Sequence, residues 1–219
     1  RALLDAYRRG RGSSVGGTES VAEIMGYPVI STVSASGVRV HDIHGEPEVH
    51  KRIIPTMLGT PREIAVLLDC ELADGGCAVV IRNTVREAQE TYEAVASVFG
   101  REETTLLHSR FLAAERAARD QQMLDLFGKD SAQRPFRHVV VATQVIEQSL
   151  DVDFDLMLTD PAPMDLVLQR IGRLQRHDRD ERPLGLRDAR CLVIVEDMST
   201  VPWTYSRGTD YVYPRYSVL

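Results

Sequence analysis

The 219-residue sequence lacks most of the features that would make its class obvious. It has three cysteines, Cys70, Cys77 and Cys191, an odd number with no C-x-x-C pair. That excludes a disulfide framework and a zinc ribbon and points to a reducing cytoplasm. No apolar run approaches the roughly 18 residues a membrane-spanning helix needs, and no signal-peptide core follows the charged residues between Arg1 and Arg11. No membrane partner is therefore expected. An excess of positive charge is also missing. The net charge of −6 rules out a protein coated with basic residues, although a local groove for phosphate stays possible. Finally, there is no G-x-x-x-x-G-K-[ST] cradle: Gly128-Lys129-Asp130 has Met123 where the first glycine belongs, and the stretch from Gly12 to Thr18 has no lysine. No Asp-Glu-x-His follows a strand, since Asp180-Glu181-Arg182-Pro183 lies in a polar loop, and no metal site is read.

What is present is enough apolar sequence, 43%, to build a proper core. Residues 2–7 have helix-forming character without an N-cap or initiator Met, which reads as the start of a cut piece. A Gly/Ser-rich loop at 10–18 precedes two alternating segments, 27–33 and 38–43, with Ser34-Ala35-Ser36-Gly37 as a hairpin turn. From residue 60 strands alternate with helices. Thr60 can N-cap a helix with Pro61 at its first position and Glu63 closing a capping box, and that helix should run to about Ala73. Strands are expected at 78–81, 104–107, 138–141, 156–159 and 191–195, and helices at 85–98, 113–127 and 165–176. Short apolar strands separated by helices imply a doubly wound parallel α/β sheet, covered on both faces, whose ligands bind at the carboxyl ends of the strands. The chain therefore divides into a linker with a β-hairpin over 1–59, an α/β lobe over 60–196 and an extended tail over 197–219.

Basic residues cluster at Arg8, Arg9 and Arg11, at His50, Lys51 and Arg52, and from Arg170 to Arg182. The first two clusters read as solvated faces. In the third, Gln169-Arg170-Ile171-Gly172-Arg173-Leu174-Gln175-Arg176 at about 100° per residue puts Met164, Val167, Ile171 and Leu174 on one side. Gln169, Arg170, Arg173 and Arg176 fall on the other. Guanidiniums crowded on one face repel, so such a helix is either a solvated basic surface or one that meets an anion. Upstream, a strand ends in Ala142-Thr143 and is followed by acidic residues up to Asp155. A threonine there can offer a hydroxyl and an N–H to phosphate, and Asp151 can orient ribose, water or an arginine, or the two are a cap and an acidic turn.

With both segments in view, Ala142-Thr143 through Asp151 resembles motif V, and Gln169 through Arg176 resembles motif VI, of superfamily 2 helicases. The resemblance implies a RecA-like second lobe that closes over ATP and Mg²⁺ held mainly by a first lobe. Carried over residue by residue, Arg173 and Arg176 would be arginine fingers, Gln169, Ser149 and Asp151 nucleotide contacts, and Arg170 a nucleotide-side residue or a partner of motif V. A finger of this kind can be worth about 10³ to 10⁵ in rate. Two weaker segments are similar to the family's DNA-contacting elements: Asn83 and Thr84, equally readable as a helix cap, and Ser109 with Arg110 after the strand at 104–107. Contacts there and at Thr143 would be to the sugar-phosphate backbone. The wording Glu147-Gln148-Ser149-Leu150-Asp151, without the glycine many relatives place before the aspartate, is similar to the CRISPR-associated helicase-nucleases of type I systems. So is Thr159-Asp160-Pro161-Ala162-Pro163-Met164-Asp165. This narrower resemblance implies a nuclease domain and a first RecA-like lobe elsewhere, single-stranded DNA as track, and an RNA-guided surveillance complex as partner. A lobe of another superfamily 2 DNA or RNA helicase, a non-catalytic nucleic-acid or protein-binding module, and a small-molecule enzyme on the same sheet remain the alternatives.

Overall fold

The computed structural model describes residues 10, 29–34, 37–42, 50–109, 113–147, 151–199, 203–214 and 217–218. The helical start expected at 2–7, the 10–18 loop apart from Gly10, the basic cluster at Arg8, Arg9 and Arg11, and the site candidates Arg110 and Ser149 lie outside these residues. The chain divides into two units, residues 1–49 and 50–219.

In the first unit, β1 (Val29–Ser34) and β2 (Gly37–Asp42) pair antiparallel from Val29↔Asp42 to Ser34↔Gly37, which is the expected hairpin; its turn residues 35 and 36 lie outside the described set.

The second unit is built on a six-stranded parallel sheet. Its strands are β3 (Arg52–Met57), β4 (Gly76–Ile81), β5 (Thr104–Leu107), β6 (Arg137–Ala142), β7 (Leu156–Thr159) and β8 (Arg190–Val195), in spatial order β3-β8-β7-β4-β6-β5. The central strands are apolar because both their faces are covered. Thus Val79 and Ile81 of β4 meet one layer of helices while Ala78 and Val80 meet the other. One layer is α1 (Pro61–Glu71) and α2 (Val85–Phe99), which bury Ile64, Leu68, Ala88, Val95 and Phe99. The other is α3 (Ala113–Phe127) and α4 (Met164–Ile171), which bury Met123, Phe127, Val167 and Ile171. Local chemistry sets the boundaries as expected at α1: Thr60 accepts from the Glu63 N–H, the Glu63 carboxylate accepts from the Thr60 N–H, and Pro61 sits inside the first turn.

Three elements differ from the sequence reading. Residues 52–57, expected within the linker, form edge strand β3, where Pro55 is tolerated because only one neighbour, β8, pairs with it. The last motif helix stops at Ile171 instead of running to residue 176. The tail, expected to be extended, holds a short helix, α5 (Arg207–Val212), and an isolated bridge between Asp197 and Thr204.

One core residue ties stability to pH. His138 of β6 is buried, its Nε2 lies 2.9 Å from Thr105 Oγ1 and its ring packs against Phe127, and burial pushes its pKa down to about 4. With a folded pKa of about 4 against an unfolded value of 6.5, the unfolded chain binds a proton that the folded chain refuses. Stability is therefore expected to fall as pH drops from about 6.5 to about 4, and His138→Gln to flatten that slope in urea titrations run at several pH values. An unchanged slope would show that His138 is not the group titrating.

Candidate nucleotide-facing site

The site grows from the carboxyl end of β7. Thr159 and Asp160 are buried there, and α4 begins after Pro163 and runs back along the sheet. Arg170, near the end of α4, is entirely buried and its guanidinium is fully used. Nε donates to Glu147 Oε1 at 2.7 Å, Nη1 to Thr159 Oγ1 at 2.7 Å and the Asp160 carbonyl at 3.0 Å. Nη2 donates to Asn83 Oδ1 at 3.3 Å and the Tyr213 hydroxyl at 3.2 Å. Five N–H groups is all that a guanidinium has, so Arg170 has none to give a nucleotide, and the expected outward-facing arginine is instead an internal tie.

Three residues expected at DNA are committed within the protein, Asn83 through the Arg170 knot and Thr84 and Thr143 through other bonds. Asn83 is buried: its N–H donates to Asp160 Oδ2 at 2.7 Å, and its Nδ2 to the Pro161 carbonyl and to Thr209 Oγ1. Thr84 N-caps α2, accepting from the Glu87 N–H and donating to Glu87 Oε2. Thr143 is buried, and the N–H expected to face phosphate donates to the Leu107 carbonyl at 3.0 Å. Asn83, Thr84 and Thr143 are thus packing and capping residues in this conformation. Ser109 is exposed at the carboxyl end of β5, and Gln169 is exposed on α4.

Beyond Ile171 the chain leaves the helix in tight turns, with Arg173 N–H donating to the Arg170 carbonyl and Leu174 N–H to the Ile171 carbonyl. Leu174 enters the core beside Phe154, and Gln175 takes a φ of 43° that L residues rarely adopt. This carries Arg173 and Arg176 off the α4 face and toward Asp151. Arg176 is exposed, with Nε 2.5 Å from Asp151 Oδ1, and His177 Nε2 lies 3.2 Å from the same oxygen. Asp151 is itself exposed, and although slight desolvation favours its neutral form, Arg176 and His177 outweigh that and hold the carboxyl below its ordinary value. Arg173 is half-buried; its Nη2 donates to the Glu147 carbonyl at 3.2 Å while its Nε is buried without a hydrogen-bond partner. Among the described residues it has no carboxylate within ion-pair distance, and burial and the neighbouring Arg176 push its pKa down, with Asp151 opposing.

Two groups that the sequence reading missed hold this turn. Asp153, fully buried, accepts from the Arg176 N–H at 2.7 Å and binds Arg179 and Arg182; Asp155 binds Arg134, Arg182 and the Cys77 N–H. Gly76, at a φ of 112°, makes room beside them, since a Cβ there would lie 2.4 Å from Leu186 Cδ1. Asp153 and Asp155 stand at the amino end of β7, not at a strand's carboxyl end as expected, and Arg179 and Arg182 are internal counter-ions. The second group is Lys51, whose Nζ donates to the Ile171 carbonyl at 3.1 Å. Burial pushes its pKa down, Asp153 opposes, and Arg176 and Arg182 add to the lowering.

A doubly wound parallel sheet with a motif V turn, a motif VI helix and two arginines beside an acidic loop defines the second RecA-like lobe of a superfamily 2 helicase. Residues 74–179 match the family model described as "CRISPR-associated nuclease/helicase Cas3, C-terminal". The CRISPR-associated nuclease/helicase Cas3 of Streptococcus thermophilus is 35% identical over 217 residues, 98% of this chain and 23% of that protein. T. fusca Cas3 crystallised with AMPPNP superposes with a TM-score of 0.75 at 34% identity over 88% of this chain and 24% of that one. A chain of a CRISPR RNA-guided surveillance complex, pre-nicking, does so with 0.68 at 33% identity over 87% and 25%. The chain belongs to the Cas3 family as its helicase C-terminal lobe, and it spans about a quarter of these relatives' length.

The Arg170 knot makes a sharp expectation. Arg170→Met leaves Glu147, Asn83, Thr159 and Tyr213 without their partner in a buried setting, and removing one member of such a set costs about 3–5 kcal/mol. Arg170→Lys, with three donors in place of five, should recover little of it. Chemical denaturation checks this, and a loss below about 1 kcal/mol would show that the knot is not structural.

Proposed function

We propose that this lobe supplies two arginine fingers, Arg173 and Arg176, to ATP held mainly by a first RecA-like lobe, within an ATP-dependent single-stranded-DNA translocase of CRISPR interference. The observation that carries the reading is Arg173: a half-buried cation with no carboxylate partner among the described residues and an unpartnered Nε. A guanidinium in that state gains most from an anion arriving at the surface. Arg176 is complementary. Its pair with Asp151 is exposed, and exposed pairs contribute only about 0–1 kcal/mol, so a phosphate can replace the carboxylate at small cost. Bound ATP with Mg²⁺ would supply the phosphoryl group that is transferred, and the Arg173 and Arg176 guanidiniums on this side fit its anionic end.

Arg173 and Arg176 would bind charge that develops on the terminal phosphate, Asp151 and Ser149 would orient them or the ribose, and exposed Gln169 would lie at the nucleotide's edge. Closure of the two lobes would deliver the fingers, and hydrolysis would release them. Exposed Ser109, with Arg110, would touch the DNA backbone without reading sequence. The T. fusca relative's AMPPNP complex, and further complexes of it with ADP and ATP, support a nucleotide partner. The surveillance-complex relative supports an RNA-guided partner, and the nuclease/helicase relatives support a nuclease domain.

In the full-length protein, Arg176→Ala is expected to lower DNA-stimulated ATP hydrolysis by about 10³-fold or more while leaving single-stranded DNA affinity within about twofold. Hydrolysis at the wild-type rate would end the finger assignment. The 219-residue chain alone should release phosphate from ATP no faster than buffer.

A further inference from the structure

Lys51 belongs to a basic triplet that reads, in sequence, as a solvated face. In the structure its ammonium reaches the Ile171 carbonyl, 120 positions away in the chain. Ile171 is the last residue of α4, and carbonyls at a helix's carboxyl end are both unsatisfied and attractive to cations. The same carbonyl accepts the Leu174 N–H at 3.0 Å, the bond that closes the turn containing Arg173. The backbone N–H and carbonyl groups of this turn are held by one short segment, with Phe154 N–H donating to the Arg173 carbonyl, Gln175 N–H to the Phe154 carbonyl and Arg176 N–H to Asp153 Oδ1, while the side chains of Gln175 and Arg173 donate to the Leu186 and Glu147 carbonyls. Lys51 comes from elsewhere, immediately before β3, where Arg52 N–H already donates to the Ala189 carbonyl at 2.8 Å. Arg173 and Arg176 therefore project from a turn whose start is held by an ammonium and whose end is held by a carboxylate.

We propose that Lys51 is a positioning residue for the arginine pair, tying the carboxyl end of α4 to the strand by which the chain enters the sheet and so fixing where Arg173 and Arg176 point. The proposal rests on reading those two residues as fingers. Lys51 acts through the backbone of the turn, so its loss should slow the chemical step more than it weakens nucleotide binding.

The test uses the full-length protein with Lys51→Met, Lys51→Arg and, in parallel, Arg176→Ala. DNA-stimulated ATP hydrolysis, melting temperature and amide hydrogen exchange over residues 172–176 are measured for each. Lys51→Met is expected to lower kcat roughly tenfold, the rate equivalent of one charge-assisted hydrogen bond, with KM for ATP within about twofold and with faster exchange in the turn. Lys51→Arg should regain most of kcat. Should Lys51→Met melt early, Lys51→Gln, which keeps a donor without the charge, is read instead and should lose kcat in the same direction. If kcat and exchange stay at wild-type values while Arg176→Ala is inactive, the Lys51 role is overturned and the finger reading stands. A raised KM with unchanged kcat would make Lys51 a nucleotide ligand and equally overturn the positioning role. An active Arg176→Ala protein would overturn the finger reading and this proposal with it.

Discussion

The lobe depends on one buried cation. A desolvated guanidinium is tolerated only when its charge and every donor are satisfied, and Arg170 meets that demand by drawing together the turn after β6, the end of β7, the loop after β4 and the tail. Each partner is then constrained in turn. Asn83, taken up by Arg170, Pro161 and Thr209, cannot leave to meet a ligand without orphaning all three. The carboxyl ends of β4 and β7 are thus occupied by the protein itself, and of the three arginines only the two beyond the helix's end keep donors that the interior does not use.

That division explains why two arginines three and six positions after Arg170 behave so differently from it. The helical repeat that would have kept all three on one face is broken at Gly172, and the strained backbone at Gln175 finishes the departure. Among the described residues the Arg173 side chain hydrogen-bonds only to the Glu147 carbonyl, and Arg176 holds Asp151 at the surface. Meanwhile Asp153 and Asp155 are neutralised from within by Arg134, Arg179 and Arg182. A chain with net charge −6 can in this way leave the Arg173 guanidinium without a carboxylate partner among the described residues, because Asp153 and Asp155 are paired with other arginines.

Much of the sheet was legible in the sequence because its signals are local. Apolar runs gave β4 to β8, and the Thr60-Pro61-Glu63 pattern gave the start of α1 within a residue. What escaped were features decided by partners distant in the chain. Edge strand β3 carries Pro55 and exposed Ile53 and Met57, so neither alternation nor propensity marks it. Periodicity alone extended α4 too far, although Gly172 was a stop signal available to be read. Within the site, Arg176 meets Asp151 although the helix expected to present it ends at Ile171, and burying Arg170, Asn83 and Thr143 needed Tyr213, Thr209 and Leu107. Nothing local could announce that Lys51 meets Ile171.

The tail's docking also changes where this lobe can be cut. Thr209 is fully buried against Asn83, and the Tyr213 hydroxyl receives Arg170, so the cooperative unit extends past the last strand to about residue 214 and past the 74–179 span by which the family is recognised. Excising the lobe at the end of β8 would strip two hydrogen-bond partners from the buried cation and its amide neighbour, leaving a fragment with every recognised motif and an opened interior.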